Sequence, residues 1–298
     1  MTERMGPVLV TGASSGIGRA IVELLSSKGC STFATARTRS DLDSLRKLPG
    51  VTPIRLDVTH AEEVDRVVAS LRRSRVVLYG LVNNAGVTGI GPLVETPVEE
   101  LHRVMDVNFY GMHRMVRACF PSLARSKGRI VNVSSINGIA PVAFFGAYCA
   151  SKFAVEAYSD ALRRELSGLG IRVSVVEPGA FRSDILSNFM VRRGAAPSGW
   201  FGRSARWAVA RNEMGEYLDV EGEVDRSRYP DAGPVARAVL HALFSKVPKR
   251  RYLVGGNQSE VDWTLEHVLH VLNQLNQRQD HALTEETLVR RLRKVLEQ

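Results

Sequence analysis

The stretch PVLVTGASSGIGRAIVELLSSKG, residues 7–29, decides the fold. Residues 7–11 form a short apolar run of strand length. Residues 12–18 carry three glycines, Gly12, Gly16 and Gly18. From Arg19 the apolar residues recur at helical spacing, and Gly29 closes the run as a C-terminal glycine does. A strand, a tight glycine turn and a helix make half of a βαβ unit. The glycines let the backbone turn sharply and approach a pyrophosphate, for which the helix N-terminus offers N–H donors and the positive end of its dipole. The spacing Gly-x-x-x-Gly-x-Gly differs from the common Gly-x-Gly-x-x-Gly fingerprint, so the position at the first βα turn carries more weight than the glycines alone.

Outward from that turn, apolar strand-length runs alternate with amphipathic helical ones. Further strands are expected in residues 31–36, 52–58, 78–86, 128–135, 171–179 and 251–256. Helices are expected over 40–48 with Ser40 as N-cap, over 60–73, over about 97–125, through the stretch GAYCASKFAVEAYSDALRREL (146–166), and over 233–245, with two more towards the C-terminus. Strands that are apolar throughout imply a parallel sheet covered on both faces, so the fold class is α/β, a Rossmann-like doubly wound sheet in a single domain. Residues 5–185 carry this alternation without a break and are expected to form the core that holds the site. Residues 183–232 break the rhythm at the carboxyl edge of the sheet, where ligands of such folds bind, and read as a substrate lid. Residues 233–298 form a helix-strand-helix extension.

The chain has 298 residues, 44% hydrophobic and 24% charged, enough for one large core. Three widely spaced cysteines, Cys30, Cys119 and Cys149, form neither a disulfide framework nor a zinc site, so a reducing cytoplasmic setting and no metal are expected. No apolar run reaches membrane-spanning length. The net charge of +9 is spread along the chain, with clusters PKRR and RRLRK near the C-terminus. No nucleic-acid-binding signature accompanies it, and a solvated face or attraction of a phosphorylated cofactor accounts for it better.

Strand two ends in TFATAR. A sheet that binds NAD usually presents an acid here to the adenosine ribose, whereas this chain has Ala36 and Arg37. A guanidinium suits a 2′-phosphate, so the expected cofactor is NADP(H) in preference to NAD(H), with Ser14 and Arg39 as further donors.

The motifs appear in order: Thr11–Gly18, Asp57 with Val58, Asn83-Asn84-Ala85-Gly86, Asn108, Ser135, Tyr148 with Lys152, and Pro178-Gly179. Together they resemble the short-chain dehydrogenase/reductase family over about residues 5–185, and ATAR, YCASKFAVE and EPGAFRSDI are most similar to its 17β-hydroxysteroid and retinol dehydrogenase branch. The resemblance implies hydride transfer between a nicotinamide and an alcohol or carbonyl of a bulky apolar substrate such as a steroid, retinoid or lipid-like ketone. It implies a catalytic set of Asn108, Ser135, Tyr148 and Lys152. It also implies cofactor contacts from Gly12, Ser14, Ser15, Gly16, Ile17, Gly18, Arg37, Asp57, Val58, Asn84, Ala85, Gly86, Tyr148, Lys152, Pro178, Gly179 and Ser183. Ser183 stands where relatives usually have threonine. By the same similarity Asn108 holds a relay water for Lys152, Asn84 braces the central strands, and the protein pairs into a homodimer or homotetramer through helices 97–125 and 147–167. A non-catalytic NADP(H) sensor or scaffold of the same fold is the alternative.

The chemistry of the set stands without the resemblance. Tyr148 and Lys152, four apart on one helix, share a face. A phenol of pKa about 10 must fall by about three units, ~4 kcal/mol, to serve as a base near neutrality, and one ammonium ~4 Å away supplies about that much at an effective dielectric of ~20. Of the neighbours Ser134 and Ser135, alternation lets one face the substrate, and the 13-residue step to Tyr148 favours Ser135. Ile136, Ile139, Val142, Phe144, Phe145, Phe181, Phe189 and Met190 are candidates to line an apolar cavity.

Overall fold

The structure is a computed structural model, and it describes residues 5–185, 187–188, 226–277 and 282–297. Most of the expected lid, residues 186 and 189–225, lies outside these, as do Phe189 and Met190. Seven parallel strands form one sheet: β1 (Val8–Val10), β2 (Thr32–Ala36), β3 (Val51–Arg55), β4 (Gly80–Asn83), β5 (Arg129–Val133), β6 (Arg172–Pro178) and β7 (Arg251–Val254). Their order is β3-β2-β1-β4-β5-β6-β7, with every pair parallel. The strand order reverses between β1 and β4, which opens a crevice at their carboxyl ends.

Alternation splits the core into two layers. Val8, Val10, Val82 and Val131 face one side, with Ile21, Val22 and Leu25 of α1 (Gly16–Ser27) and Val235 and Val239 of α7 (Gly233–Phe244). Leu9, Leu81 and Ile130 face the other side, against α3 (Ala61–Arg73), α5 (Met112–Ser126) and α6 (Gly146–Leu166). In α3 the sequence explains the helix: Glu62 and Glu63 open it, Arg72 and Arg73 end it, and Val64, Val67 and Leu71 make its buried stripe. The remaining α-helices among the described residues are α2 (Arg39–Arg46), α4 (Val98–Met105), α8 (Gln258–Asn276) and α9 (Glu285–Leu296).

Two expectations need correction. Helix α2 is capped by Thr38, not Ser40; the Thr38 hydroxyl accepts from the Asp41 N–H at 3.2 Å. The expected helix 97–125 is α4 and α5 joined by a π-helical segment, Asp106–Gly111, that holds Asn108. The extra residue per turn in such a segment re-aims its side chains, and π segments cluster at functional sites. The C-terminal extension is no appendage, since β7 completes the sheet beside β6 and α7 packs on α1. Cys30, Cys119 and Cys149 are buried free thiols. Among the described residues no helix is long and apolar enough to cross a membrane, and no cluster of His, Cys, Asp and Glu could hold a metal.

Candidate active site

The exits of β1 and β4 are stitched together by side chains. The Thr11 hydroxyl accepts from the Asn84 and Ala85 N–H groups at 3.0 and 3.1 Å, and Asn84 Nδ2 donates to the Thr11 and Gly12 carbonyls at 3.0 and 2.8 Å. Packing here leaves no room for a side chain at residue 18. A Cβ on Gly18 would stand 2.1 Å from the Gly12 carbonyl oxygen and 2.4 Å from Asn84 Nδ2. The result is a cleft of about 200 Å³ lined by Gly12, Ser14, Ser15, Gly16, Ile17, Gly18, Arg37, Asp57, Val58, Asn84, Ala85, Gly86, Tyr148, Lys152 and Ser183. Ser15 precedes α1 without its side chain capping it, which leaves first-turn N–H donors open to the cleft. Those donors, the positive end of the helix and the glycine floor fit a dinucleotide pyrophosphate.

Arg37 is two-thirds exposed at the rim, 3.9 Å from Asp57 Oδ2. The other Asp57 oxygen accepts from the N–H and hydroxyl of Thr59 at 3.0 and 2.8 Å, so Asp57 is held in place while Arg37 keeps only a loose ion pair. Arg39 is 95% exposed and faces Asp43, away from the role suggested by its position.

Tyr148 and Lys152 stand at the inner end of this cleft, and Ser135 lies on the far side of Tyr148. Ser135 caps a short 3₁₀ turn; its oxygen accepts from the Asn137 N–H at 3.1 Å, and its hydroxyl lies 3.4 Å from the Pro178 carbonyl and within hydrogen-bonding reach of the Tyr148 hydroxyl. Lys152 Nζ donates to the Val133 carbonyl at 2.9 Å and lies 5.6 Å from the centroid of the Tyr148 ring. Ser134 points the other way, 3.5 Å from the Lys152 carbonyl. Alternation along the strand end separates the two serines as expected. Asn108 is buried, with its oxygen accepting from the Val87 N–H at 2.8 Å and its nitrogen donating to the Val87 carbonyl and the Ser151 hydroxyl at 2.9 and 2.8 Å.

The electrostatics differ from the expectation that the ammonium makes the phenol acidic. Burial pushes the Tyr148 hydroxyl up to about 12, and the Ser135 hydrogen bond opposes this only in part. Burial likewise depresses Lys152 to about 8, against the pull of Glu156 one turn further along α6. Removing a phenolate and an ammonium from water costs more than their mutual attraction returns at this separation. Behind the lysine, Arg251 of β7 bridges Glu156, Glu177 at 2.9 Å and Asp160 at 2.6 Å. Burial and the neighbouring Glu156 raise Glu177 to about 7 despite the guanidinium.

A second cavity of about 650 Å³ opens on the far side of Tyr148. Ile136, Val142, Phe145 and Phe181 line it as expected, together with Pro178 and Gly179, which wall this cavity rather than the first; Ile139 and Phe144 do not line it. The two cavities share Ile17, Ser134, Tyr148, Ser183 and Ile185, so the phenol stands at their junction. Sequence reasoning missed Thr88, Asn137, Tyr229 and the α8 residues Asn257, Ser259, Glu260 and Trp263 in the second cavity, and Thr35, Leu56, Val107 and Asn188 in the first. The α8 group had a signal: Gly255-Gly256-Asn257 follows an expected strand, and strand exits at the carboxyl edge build sites.

Comparison with known proteins agrees with this geometry. The family model described as short chain dehydrogenase matches residues 7–192. The mitochondrial D-beta-hydroxybutyrate dehydrogenase of Bos taurus is 34% identical over 276 residues, covering 82% of this chain and 75% of that protein. Retinol dehydrogenase 16 of Rattus norvegicus is 34% identical over 260 residues, covering 83% and 80%. Among solved structures, a short-chain dehydrogenase from Streptomyces avermitilis superposes with a TM-score of 0.76 at 30% identity, covering 93% of this chain and 96% of that one. An actinorhodin polyketide ketoreductase with NADPH superposes with a TM-score of 0.69 at 27% identity, covering 86% and 97%.

Proposed function

The chain belongs to the short-chain dehydrogenase family and is an oxidoreductase with a nicotinamide cofactor, and we propose that it reduces the carbonyl of a bulky apolar ketone or aldehyde, with NADPH preferred to NADH. The observation that carries this reading is the position of Tyr148 between the two cavities, beside Ser135 on the second and with Lys152 one turn away on the first. The bound nicotinamide supplies the hydride. The rest falls to the protein's own residues. Ser135 donates a hydrogen bond to the substrate oxygen as negative charge grows on it. Tyr148 then protonates that oxygen. A protonated phenol is a stronger acid than an alcohol, so it can donate to the growing alkoxide in reduction and take the proton back in oxidation. Lys152, charged below about 8, stabilises the phenolate left behind. Asn108 commits its amide to Val87 and Ser151, so its part in proton supply to Lys152 is to fix the backbone around which a relay water would sit.

Arg37 supports the choice of NADPH, since no acid stands at the end of β2 and the guanidinium is free to swing onto a phosphate. The substrate cavity supports an apolar ligand. Its apolar lining includes Ile136, Val142, Phe145, Phe181 and Trp263 beside hydroxyl and amide side chains, and the one acidic side chain among its described lining residues is Glu260, which disfavours a substrate carboxylate. That argues for a retinoid- or steroid-like ketone over a small keto acid such as the partner of the hydroxybutyrate relative. The test is a screen of ketones and aldehydes that follows NADPH absorbance. Turnover of bicyclic or longer apolar carbonyls is expected, and turnover confined to small keto acids or sugars would overturn the substrate class.

A further inference from the structure

We propose that the first two turns of α8 are the specificity wall of the substrate cavity, with Trp263 as the residue that reads the apolar body of the substrate and Glu260 as the positioning residue that locks this wall to the reacting end. The proposal rests on the reading above that the substrate is a bulky apolar carbonyl compound.

The link between wall and reaction centre is built from backbone and one carboxylate. Asn257 caps α8 by accepting from the Glu260 N–H at 2.9 Å. The Glu260 carboxylate turns back and accepts from the Gly256 N–H at 2.7 Å and from the Ala180 N–H at 3.1 and 3.2 Å. It fills the space over Gly179, where a Cβ would come within 1.8 Å of Glu260 Oε2. The Gly179 N–H in turn donates to the Val254 carbonyl at 2.8 Å. The loop after β6 and the loop after β7 are therefore one unit. That unit includes Pro178, whose carbonyl lies 3.4 Å from the Ser135 hydroxyl. A change at Glu260 is thus transmitted to the serine that holds the substrate oxygen.

Trp263 follows three residues after Glu260, on the same face of the helix, and lines the cavity with 39% of its surface exposed. Its neighbour Thr264 is buried and donates to the Glu260 carbonyl at 2.7 Å, which fixes this turn. Beyond it α8 leaves the body of the protein, with Leu265, Leu269 and Leu275 all more than half exposed. The first two turns are thus the part of α8 that is both anchored and open to ligand. A flat indole in an apolar cavity favours ring-bearing substrates, and covering its exposed face is worth about thirty-fold in affinity.

Steady-state kinetics of the wild type and the W263A, W263F, E260A and E260Q variants with 1-tetralone and 2-butanone test this. W263A is expected to lower kcat/KM for 1-tetralone about thirty-fold, mainly through KM and about ten times more than for 2-butanone, and W263F is expected to restore most of it. E260A is expected to lower kcat for both ketones, with partial rescue in E260Q, whose amide oxygen still accepts. A wild type that prefers 1-tetralone, combined with a W263A variant that keeps the same preference, would overturn the proposal while leaving the bulky-substrate reading intact. Losses in kcat alone for W263A, with no rescue by W263F, would reduce Trp263 to a structural role and also overturn it. A wild type that turns over 2-butanone and not 1-tetralone would remove the substrate reading itself, and this proposal with it.

Discussion

Lys152 should make the protein less stable than it would be without it. The side chain is 4% exposed, and burial holds its ammonium near 8. The gap from about 10.4 for a free lysine amounts to ~3 kcal/mol that folding spends to keep the charge inside at neutral pH. Replacing Lys152 with Met removes that cost but leaves the Val133 carbonyl without its donor, a loss of about 1 kcal/mol. The net expectation is a gain of ~2 kcal/mol at pH 7. With an unfolding entropy of about 2.1 cal/mol/K per residue over the whole chain, that is a rise of ~3 °C in melting temperature. The sign with pH is fixed by the depressed value. The unfolded chain binds the proton up to about 10.4 and the folded one only to about 8, so the wild type gains on the variant as pH rises between them; the gap should close near pH 9.7 and reverse by up to ~1 kcal/mol above it. Urea unfolding of both proteins at pH 7, 8.5 and 10 checks this. A Lys152→Met protein that is less stable than the wild type at pH 7 by 1 kcal/mol or more would refute the reasoning, because it would mean that the ammonium is satisfied rather than strained in its place.

Arg37→Asp should raise the KM for NADPH about a hundred-fold and leave that for NADH within a few-fold, as loss of a charge-assisted phosphate contact requires; equal losses in initial-rate kinetics would contradict the phosphate role. Arg251→Met should cost about 3–5 kcal/mol at pH 7.5, since it leaves Glu156, Glu177 and Asp160 facing one another. Because these acids would then take up protons, the deficit should shrink at pH 5, which urea unfolding at the two pH values measures. Ser135→Ala should lower kcat about a hundred-fold while Ser134→Ala stays within ten-fold, and single-turnover rates would expose an exchange of the two roles.

The sheet was legible because its physics is local. Each strand is a short apolar run between turn residues, and burial on both faces leaves it little else to be; all seven appear where periodicity put them. The cofactor cleft was legible because the glycine turn, Arg37 and Asn84 each follow a strand of known order. What stayed hidden depends on distant packing. The Thr38 cap wins over Ser40 because helix α2 starts at Arg39, two residues earlier than the first acid suggested. The π segment at Asn108 leaves no mark in helical periodicity at the precision of a single turn. Sequence spacing gives the ammonium's attraction for the Tyr148 phenol but not the desolvation around the half-buried ring and the buried lysine, which pushes the phenol up and the ammonium down. Glu260 and Trp263 reach the cavity only because β7 lies next to β6, a pairing between segments about 75 residues apart.

The most direct test of the whole account is Tyr148→Phe, measured for carbonyl turnover and for NADPH binding by fluorescence titration. A variant that binds NADPH within a few-fold of the wild type yet loses at least a thousand-fold in kcat is the predicted result. Turnover that survives loss of the hydroxyl would contradict the claim that this phenol, at the junction of the two cavities, delivers the proton.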